Sequence, residues 1–442
     1  MLVERVTLTD EAQDEAPALV AARLRRLIGG VEGIEETVAT IVSHVRAEGD
    51  EAVNEYTRRF DTDGVQPREL CVAAHELDEA LEQMPLEVVA GLQVAIANVA
   101  RVADASIGPE RVLVELAQGH TVTLREIPVG VAAIYAPGGR AAYPSTVVMG
   151  VVAARAAGVL DVAVCTPPGP DGQAHPAILA ACRLCGVERV YRMGGAQAIA
   201  ALAFGTESVG RVDVVVGPGN LYVQEAKRRL SHVVGIDGFA GPSDLMVIFG
   251  EDADPRLVAL DLLAQAEHGP GSLVAGVSSS RAALDAVGLA IEHESAGWPD
   301  LQPDACVLIE TATPAAAVEL ANAFAPEHLQ LVGVAEEALA GKVRAAGCVL
   351  LGRNGATAFG DYTAGSNHVL PTGGAARFAS TLSPRHFRRR MSVVEIGDEA
   401  AAKLALAGIP VANAEGFPLH ARSMQARIPE SRSERPLSEN GE

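Results

Sequence analysis

The sequence predicts an α/β fold of two tandem Rossmann-like parallel-sheet domains with small helical N- and C-terminal extensions. Two alternating series and the chain length carry that expectation. At roughly 100–200 residues per domain, 442 residues allow two to four domains, each large enough to bury a core. From about residue 128, short apolar runs closed by Gly or Pro alternate with Ala-rich helical stretches, and a second such series starts near Leu245. That alternation is the rhythm of βαβ units on a parallel sheet.

The elements follow in order. From about 10 to 105, apolar residues recur at three- and four-residue spacing in EETVATIVSHVRAEGDEAVNEYTRRF and LEVVAGLQVAIANVARVA, which predicts scaffold helices. The first strand series is VGVAAIYAPGG, DVAVCTPPG, RVYRMGG and VDVVVGPGN. The second is LMVIF, SLVAGV, ACVLI, LQLVG and GCVLLG, separated by DPRLVALDLLAQAEH, RAALDAVGLAIEH, PAAAVELANAF and EEALAGKVRAA. Residues 353 to 377 are polar and Gly-rich, and so long a structureless stretch in a compact domain is functional or disordered; its content points to function. The closing PESRSERPLSENGE lacks apolar content, which predicts a disordered tail.

Composition excludes several functions. A net charge of −21 repels phosphate backbones and anionic lipid, so neither nucleic acid nor membrane is expected as a partner. The basic run Arg385 to Arg390 is read as a solvated helix face or a subunit contact. The amino terminus lacks the apolar core of a secretory signal, and no uncharged run reaches the roughly 18 residues of a membrane span. Six cysteines in so long a chain form no disulfide framework, so a cytoplasmic location is expected. Cys182 and Cys185 make a C-x-x-C in a helical stretch, without the second pair a zinc knuckle needs. Lys227, Lys342 and Lys403 are the only lysines; Lys342 precedes Val343, so the G-K-[ST] ending of a P-loop is absent.

Each strand of the 128 to 220 region ends in a Gly-rich turn before a helix, which places backbone N–H groups where a phosphate can sit. Gly217, Pro218, Gly219 and Asn220 come nearest to a dinucleotide fingerprint, but Tyr222 stands where G-x-G-x-x-G has its third glycine. A tight strand-to-helix turn uses Gly-Pro-Gly for φ/ψ reasons alone.

The chemistry-bearing residues form a scattered set of imidazoles, carboxylates and amides in apolar or Gly-rich contexts. In LLAQAEHG, Gln265 and His268 are three apart on a helix and project from one face near its carboxyl end. In FAPEHLQ, Glu327 and His328 follow a helix-stopping proline. In FGDYTAGSNHVLP, Asp361 and His368 lie in the long Gly-rich loop, and in AEGFPLHA, Glu415 precedes His420 by five residues. Each has a plain alternative: His268 as a dipole-stabilised helix-end residue, Glu327 as a surface acid. His44, His75, His120, His175, His232, His293 and His386 read mostly as surface residues. Nitrogen and oxygen donors without thiolate suit zinc or another borderline divalent ion in an open, catalytic site.

At these residues the sequence resembles the histidinol dehydrogenase family, whose members oxidise L-histidinol to L-histidine with two NAD+ as the final step of histidine biosynthesis. The resemblance runs from about residue 30 to 425, through VAAIYAPGGRAAYPSTVVMG, MGGAQAIAALAFGTE, VVVGPGNLYVQEAK, AGPSDL, LLAQAEHGP, FAPEHLQL, GDYTAGSNHVLPTGGAARF and AEGFPLHA in the family's order. It implies one zinc ion per subunit held by Gln265, His268, Asp361 and His420, and NAD+ contacts from Tyr135, Gln197 and Asn220. The same four zinc-holding residues would meet substrate together with Ser243, His328, Glu415 and His368. It implies His328 as the base that removes the hydroxyl proton and Glu327 as the activator of water for a second oxidation of bound histidinal. It further implies a homodimer in which the segment around Glu415 and His420 completes the partner subunit's site.

The domains expected on that basis are an N-terminal extension over 1–27 and a first α/β domain over 28–129 plus 241–380, carrying much of the zinc and substrate site. An NAD-binding domain over 130–240, a C-terminal extension over 381–428 and the tail over 429–442 complete the chain. Some positions depart from the commonest family pattern: Asp244 stands where Glu is more usual, and His386 with Arg388 to Arg390 makes the stretch after SPRH more basic than expected. Three rival functions fit the same residues: a paralogous zinc and NAD dehydrogenase of another small alcohol or diol, a zinc hydrolase using Glu327, and a non-catalytic binding protein. An aldehyde dehydrogenase needs a thiol at the site, and none of the cysteines accompanies the constellation.

Overall fold

A computed structural model of the chain describes residues 4–7, 17–27, 33–65, 68–138, 141–238, 243–269, 271–298, 301 and 305–428. The tail expected at 429–442 and part of the extension expected at 1–27 lie outside these residues. The chain divides into two compact units, Met1–Ile107 with Val129–Phe387, and Gly108–Pro128 with Arg388–Glu442.

Along the chain come β1 (Glu4–Thr7), α1 (Pro17–Arg26), α2 (Ile34–Phe60), α3 (Ala74–Glu82) and α4 (Leu86–Ala105), then β2 (Arg111–Glu115) and β3 (Thr121–Pro128). The first alternating series is β4 (Val131–Tyr135), α5 (Pro144–Ala156), β5 (Asp161–Thr166), α6 (Pro176–Leu184), β6 (Arg189–Arg192), α7 (Gly195–Phe204), β7 (Val214–Val216), α8 (Leu221–Leu230) and β8 (Gly235–Ile236). The second is β9 (Asp244–Phe249), α9 (Pro255–Ala266), β10 (Leu273–Ser278), α10 (Arg281–Ser295), β11 (Ala305–Glu310), α11 (Pro314–Phe324), β12 (His328–Val332), α12 (Val334–Glu337), β13 (Cys348–Leu351) and α13 (Thr357–Tyr362). Strand β14 (Arg388–Glu395) and helices α14 (Asp398–Ala414) and α15 (Pro418–Gln425) follow.

In the larger unit the first series forms a five-stranded parallel sheet in the order β6-β5-β4-β7-β8, and the second a six-stranded parallel sheet in the order β1-β11-β10-β9-β12-β13. Helix starts in the second series carry their own punctuation. Asp254 and Thr313 accept backbone N–H groups as caps, and each is followed by a proline in the first turn. Both sheets are covered on two faces. One face of the five-stranded sheet packs against α4, α5 and α6 through residues such as Leu92, Met149 and Ile178, and the other against α2, α7 and α8 through Val38, Ile199 and Val223. The six-stranded sheet buries Leu24 and Phe324 on one side and Leu262 and Ile291 on the other. Burial on both faces is why the strands read as continuous apolar runs. Helix α4 is long and apolar enough to cross a membrane by length and composition, but it lies along α5 with Leu92, Ala95, Val99 and Ala103 buried.

The smaller unit was not legible as strands. Its antiparallel sheet, β14-β3-β2, pairs Arg388 with Pro128 at one end and Glu395 with Thr121 at the other. The basic run is therefore corrected: Pro384–Phe387 is a short 3-10 turn, and Arg388 to Arg390 begin a strand rather than line a helix. Arg388 pairs with Glu110, just before β2, at 3.2 Å and Arg390 with the cross-strand Glu126 at 2.5 Å, so nearby acids answer two of the three arginines.

Candidate active site

The acid and base of the FAPEHLQ segment are placed by a helix stop. Helix α11 ends at Phe324, Ala325 takes a left-handed conformation at φ 52°, and Pro326 prevents continuation. The chain then enters β12, whose His328 stands in register with Leu245 of β9 and Cys348 of β13. Glu327 is only 7% exposed and His328 4%, which overturns the surface-acid alternative.

Glu327 and Asp244 hold each other through their backbones. The Glu327 N–H donates to Asp244 Oδ1 at 2.8 Å, and the Asp244 N–H donates to Glu327 Oε2 at 3.1 Å. Arg25 of α1 donates to Asp244 Oδ2 at 2.5 Å and to the carbonyl of Phe324 at 2.9 Å, with its guanidinium 3.7 Å from the Phe324 ring centroid. The shorter side chain at 244 thus reaches a guanidinium that sequence inspection did not connect to it.

A second chain of bonds reaches Glu327 from α9. Gln265 Nε2 donates to Ser243 Oγ at 2.6 Å, and the Ser243 hydroxyl donates to Glu327 Oε2 at 2.5 Å. This fixes the amide with its nitrogen engaged, and Gln265 Oε1 is left buried without a hydrogen-bond partner. An unanswered buried amide oxygen is costly, and it has the chemistry of a cation ligand. His268 lies beyond α9, in the turn that follows, rather than on the helix as its spacing suggested. Its N–H donates to the Gln265 carbonyl at 3.2 Å. Gly269, at φ 79°, lets the chain leave the helix there, and the exposed imidazole stands at the solvent edge of the cluster.

Asp361 and His368 come from the Gly-rich segment, which is not structureless: Asp361 sits in α13. His328 Nε2 is 3.3 Å from Asp361 Oδ1, while His328 Nδ1 is buried without a hydrogen-bond partner, 4.0 Å from Glu327 Oε2. His368 Nδ1 donates to the Asp361 carbonyl at 2.8 Å, which leaves Nε2 to accept from the Thr146 hydroxyl at 3.0 Å. Burial holds the His368 imidazole below its usual pKa and so neutral.

The charges are unequal in consequence. Burial pushes the Glu327 carboxyl up to about 7, the neighbouring Asp244 adding to the rise against the pull of His328. Burial alone would lower His328, but the hydrogen bond to Asp361 and the charges of Glu327, Asp361 and Asp244 leave it above the ordinary imidazole value. Burial would raise Asp361, and the His328 hydrogen bond and charge overcome it to hold that carboxylate below its usual range. An acid and a base are thereby held 4.0 Å apart in a water-poor cluster, which suits general acid–base work.

Glu415 and His420 belong to the smaller unit. Glu415 caps α14, His420 lies in α15 with its ring 5.3 Å from that of Phe417, and both are exposed. Among the described residues no three His, Cys, Asp or Glu side chains form a metal-holding group. Gln265, His268 and Asp361 offer an amide oxygen, an imidazole and a carboxylate from the larger unit alone. Of the remaining histidines, His120 is buried rather than on the surface. All six cysteines are free, and burial raises the thiols of Cys182 and Cys185, which leaves the C-x-x-C inert.

Tyr135, Gln197 and Asn220 meet around a second feature, a cavity of about 660 Å³. It lies beyond the carboxyl ends of β4 and β7, where the strand order reverses, because β5 and β7 flank β4 on opposite sides. The Gly195 N–H donates to the Tyr135 hydroxyl at 3.1 Å, and Asn220 caps α8 by accepting from the N–H groups of Tyr222 and Val223 at 3.1 Å. Gly217, at φ 119°, allows the backbone to pass Tyr135, since a Cβ there would collide with the Tyr135 carbonyl oxygen. Lys227, fully buried, ties this turn down: its Nζ donates to the Gly217 carbonyl and, at 2.7 Å, to Asp237 Oδ1, while Asp237 Oδ2 accepts the Gly217 N–H at 2.7 Å.

The histidinol dehydrogenase family model matches residues 25–428. The chain belongs to the histidinol dehydrogenase family. Proteins named histidinol dehydrogenase from Synechococcus sp. and Gluconobacter oxydans are 42% and 39% identical over 399 and 405 residues, which cover 89% of this chain and 92% and 93% of theirs. A crystal structure of histidinol dehydrogenase from Elizabethkingia anophelis superposes with a TM-score of 0.88 at 29% identity, covering 96% of this chain and 98% of that one. Membership makes the protein an oxidoreductase of α/β architecture. Sequence reasoning missed the supports of the family site: Arg25, Thr146, Lys227 and Asp237 are separated from what they hold by turns of the fold. Only Lys227 carried a signal, as one of three lysines, placed ten residues after Gly217.

Proposed function

We propose that the protein oxidises L-histidinol to L-histidine through bound L-histidinal, with two NAD+ and one zinc ion per subunit, as the cytoplasmic last step of histidine biosynthesis. The observation that carries the zinc and substrate assignment is the buried, unpartnered Gln265 Oε1 beside the Ser243–Glu327 bond. The donor set fits zinc: an amide oxygen, the exposed His268 imidazole and the Asp361 carboxylate, with His420 supplied by a second copy of the chain in a homodimer. When bound, zinc supplies Lewis-acid polarisation and a fixed grip on the amino alcohol.

The chain's own residues do the rest. His328 Nδ1, bare and buried, takes the hydroxyl proton as a hydride leaves the carbinol carbon for the first NAD+, giving the aldehyde. The Glu327 carboxylate then takes a proton from water as the water oxygen adds to the aldehyde carbon, and the hydrate gives its hydride to the second NAD+. The sum is one histidinol, one water and two NAD+ to one histidine carboxylate, two NADH and three protons. Ser243 holds Glu327 in place, and Glu415 and His420 meet the substrate from the partner copy. Tyr135, Gln197 and Asn220 line the nucleotide cavity, with the amino ends of α7 and α8 available to the diphosphate.

Zinc content and NADH formation from L-histidinol test this together. Wild type retains about one zinc per chain and Gln265→Ala loses most of it, together with activity. Unchanged zinc in Gln265→Ala, or no NADH from L-histidinol while another alcohol turns over, contradicts the assignment.

A further inference from the structure

The nucleotide cavity contains an acid that none of the sequence motifs pointed to. Asp61 caps the carboxyl end of α2, lines the cavity, and lies 3.4 Å from Gln197 Nε2, which donates to its Oδ2. Gln197 is itself 1% exposed, so the carboxylate is oriented by a fixed amide. No arginine or lysine is paired with Asp61 among the described residues, and burial pushes its carboxyl up to about 7. An acid without a countercharge, half-buried in a cavity wall, is unfavourable until a ligand brings hydrogen-bond donors to it.

The surroundings say which part of a ligand that is. Ile41, Phe60 and Tyr222 give the cavity apolar and aromatic lining that suits a flat base. Gly195 and Asn220 mark the amino ends of α7 and α8, which suit the diphosphate. Asp61 is next to Phe60 in the chain and bonded to Gln197 in the first turn of α7, so it is tied both to an aromatic lining residue and to a helix amino end, as suits an acid that meets the sugar joining base to diphosphate. Nucleotide folds usually draw such an acid from the end of the strand after the phosphate turn. Here the strand next to β4, β5, ends at Thr166 and continues into Pro167, with no acid. The acid arrives instead from α2, a helix packed on the same sheet.

We infer that Asp61 binds the ribose hydroxyls of the adenosine half of the dinucleotide and thereby selects NAD+ over NADP+. The inference rests on the proposed use of NAD+. A free diol donates two hydrogen bonds to the carboxylate, whereas a 2′-phosphate sets a dianion against it. Arg59 lines the same cavity, but it is exposed, with its guanidinium 5.1 Å from the Phe60 ring centroid.

Isothermal titration of the zinc-loaded protein with NAD+ and with NADP+ at pH 8, where Asp61 is ionised, provides the test. Wild type binds NAD+ more tightly than NADP+. Asp61→Asn loses roughly tenfold or more in NAD+ affinity, as for a hydrogen bond to a charged group, and its preference for NAD+ over NADP+ shrinks by a similar factor. Asp61→Glu, which keeps the charge, keeps the preference, and circular dichroism matching wild type certifies the fold of both variants. An unchanged preference in Asp61→Asn, or wild type binding NADP+ as tightly as NAD+ through Arg59, overturns the inference alone. Wild type binding neither dinucleotide overturns it together with the proposed NAD+ chemistry.

Discussion

His328 and Asp361 face each other across 3.3 Å, imidazole Nε2 to carboxylate Oδ1, one at the start of a strand and the other in a short helix. The contact orients the imidazole so that Nδ1, the nitrogen without a partner, is the one free to accept a proton. It also sets when that nitrogen is available.

Because the surrounding carboxylates outweigh burial and hold the His328 pKa above 6.5, the unprotonated base appears only at more alkaline pH. In the zinc-free protein the His328 ring is therefore expected to titrate above pH 6.5 by NMR, and a midpoint at or below that value contradicts the electrostatics. The linked stability has the opposite course. A raised imidazole pKa contributes stability that is complete below the unfolded value and is lost as pH rises through the folded one.

Glu327 behaves as a neutral acid in the folded state until about pH 7, against an ordinary carboxyl value of 4.5. Between those values the native state holds more protons than the unfolded chain, so stability falls as pH rises. Above pH 7 the buried charge is a standing cost. Glu327→Gln removes it, and its Tm at pH 8 is expected above that of wild type, with the difference closing towards pH 5. An equal or lower Tm at pH 8 contradicts the burial argument.

Lys227 is buried against Asp237 and the Gly217 carbonyl. Lys227→Met strands the Asp237 charge, and a loss of about 3–5 kcal/mol in denaturant unfolding is expected. Adding Asp237→Asn should recover part of that loss, because the stranded charge is then gone. A double variant no more stable than Lys227→Met argues against a pairwise role.

Arg25 neutralises the fully buried Asp244 carboxylate. Arg25→Ala leaves that charge uncompensated under the Glu327 backbone and should cost about 3 kcal/mol. Arg25→Lys keeps the charge but loses the forked bonds to the Phe324 and Ala325 carbonyls, and restores only part of the loss. Full restoration by lysine would show that charge alone matters.

The alternating series carried the two parallel sheets because both faces of each are covered, so nearly every strand residue is apolar. The hairpin of β2 and β3 escaped notice even though T-V-T-L-R alternates with period two after the turn at Gly119. All five residues of β2 are exposed, so its short apolar run, Val112 to Val114, packs no sheet face and stands outside the alternating series. At the site, Glu327, His328 and Gln265 were legible as residue types in unusual contexts, Ser243 only through the family resemblance, and the fold brings the four together. Arg25 and Asp61 were not, because a lone arginine or aspartate on an amphipathic helix looks like surface charge until the fold sets another element against it.

The most direct measurement is the number of NADH formed per L-histidinol when limiting substrate is consumed by the zinc-loaded protein with excess NAD+. The expected result is two for wild type and one for Glu327→Gln, with histidinal accumulating, since that variant keeps His328 for the first oxidation and lacks the base that activates water. One NADH per histidinol from wild type, or none, contradicts the four-electron reaction. Two from Glu327→Gln at the wild-type rate contradicts the role assigned to the glutamate.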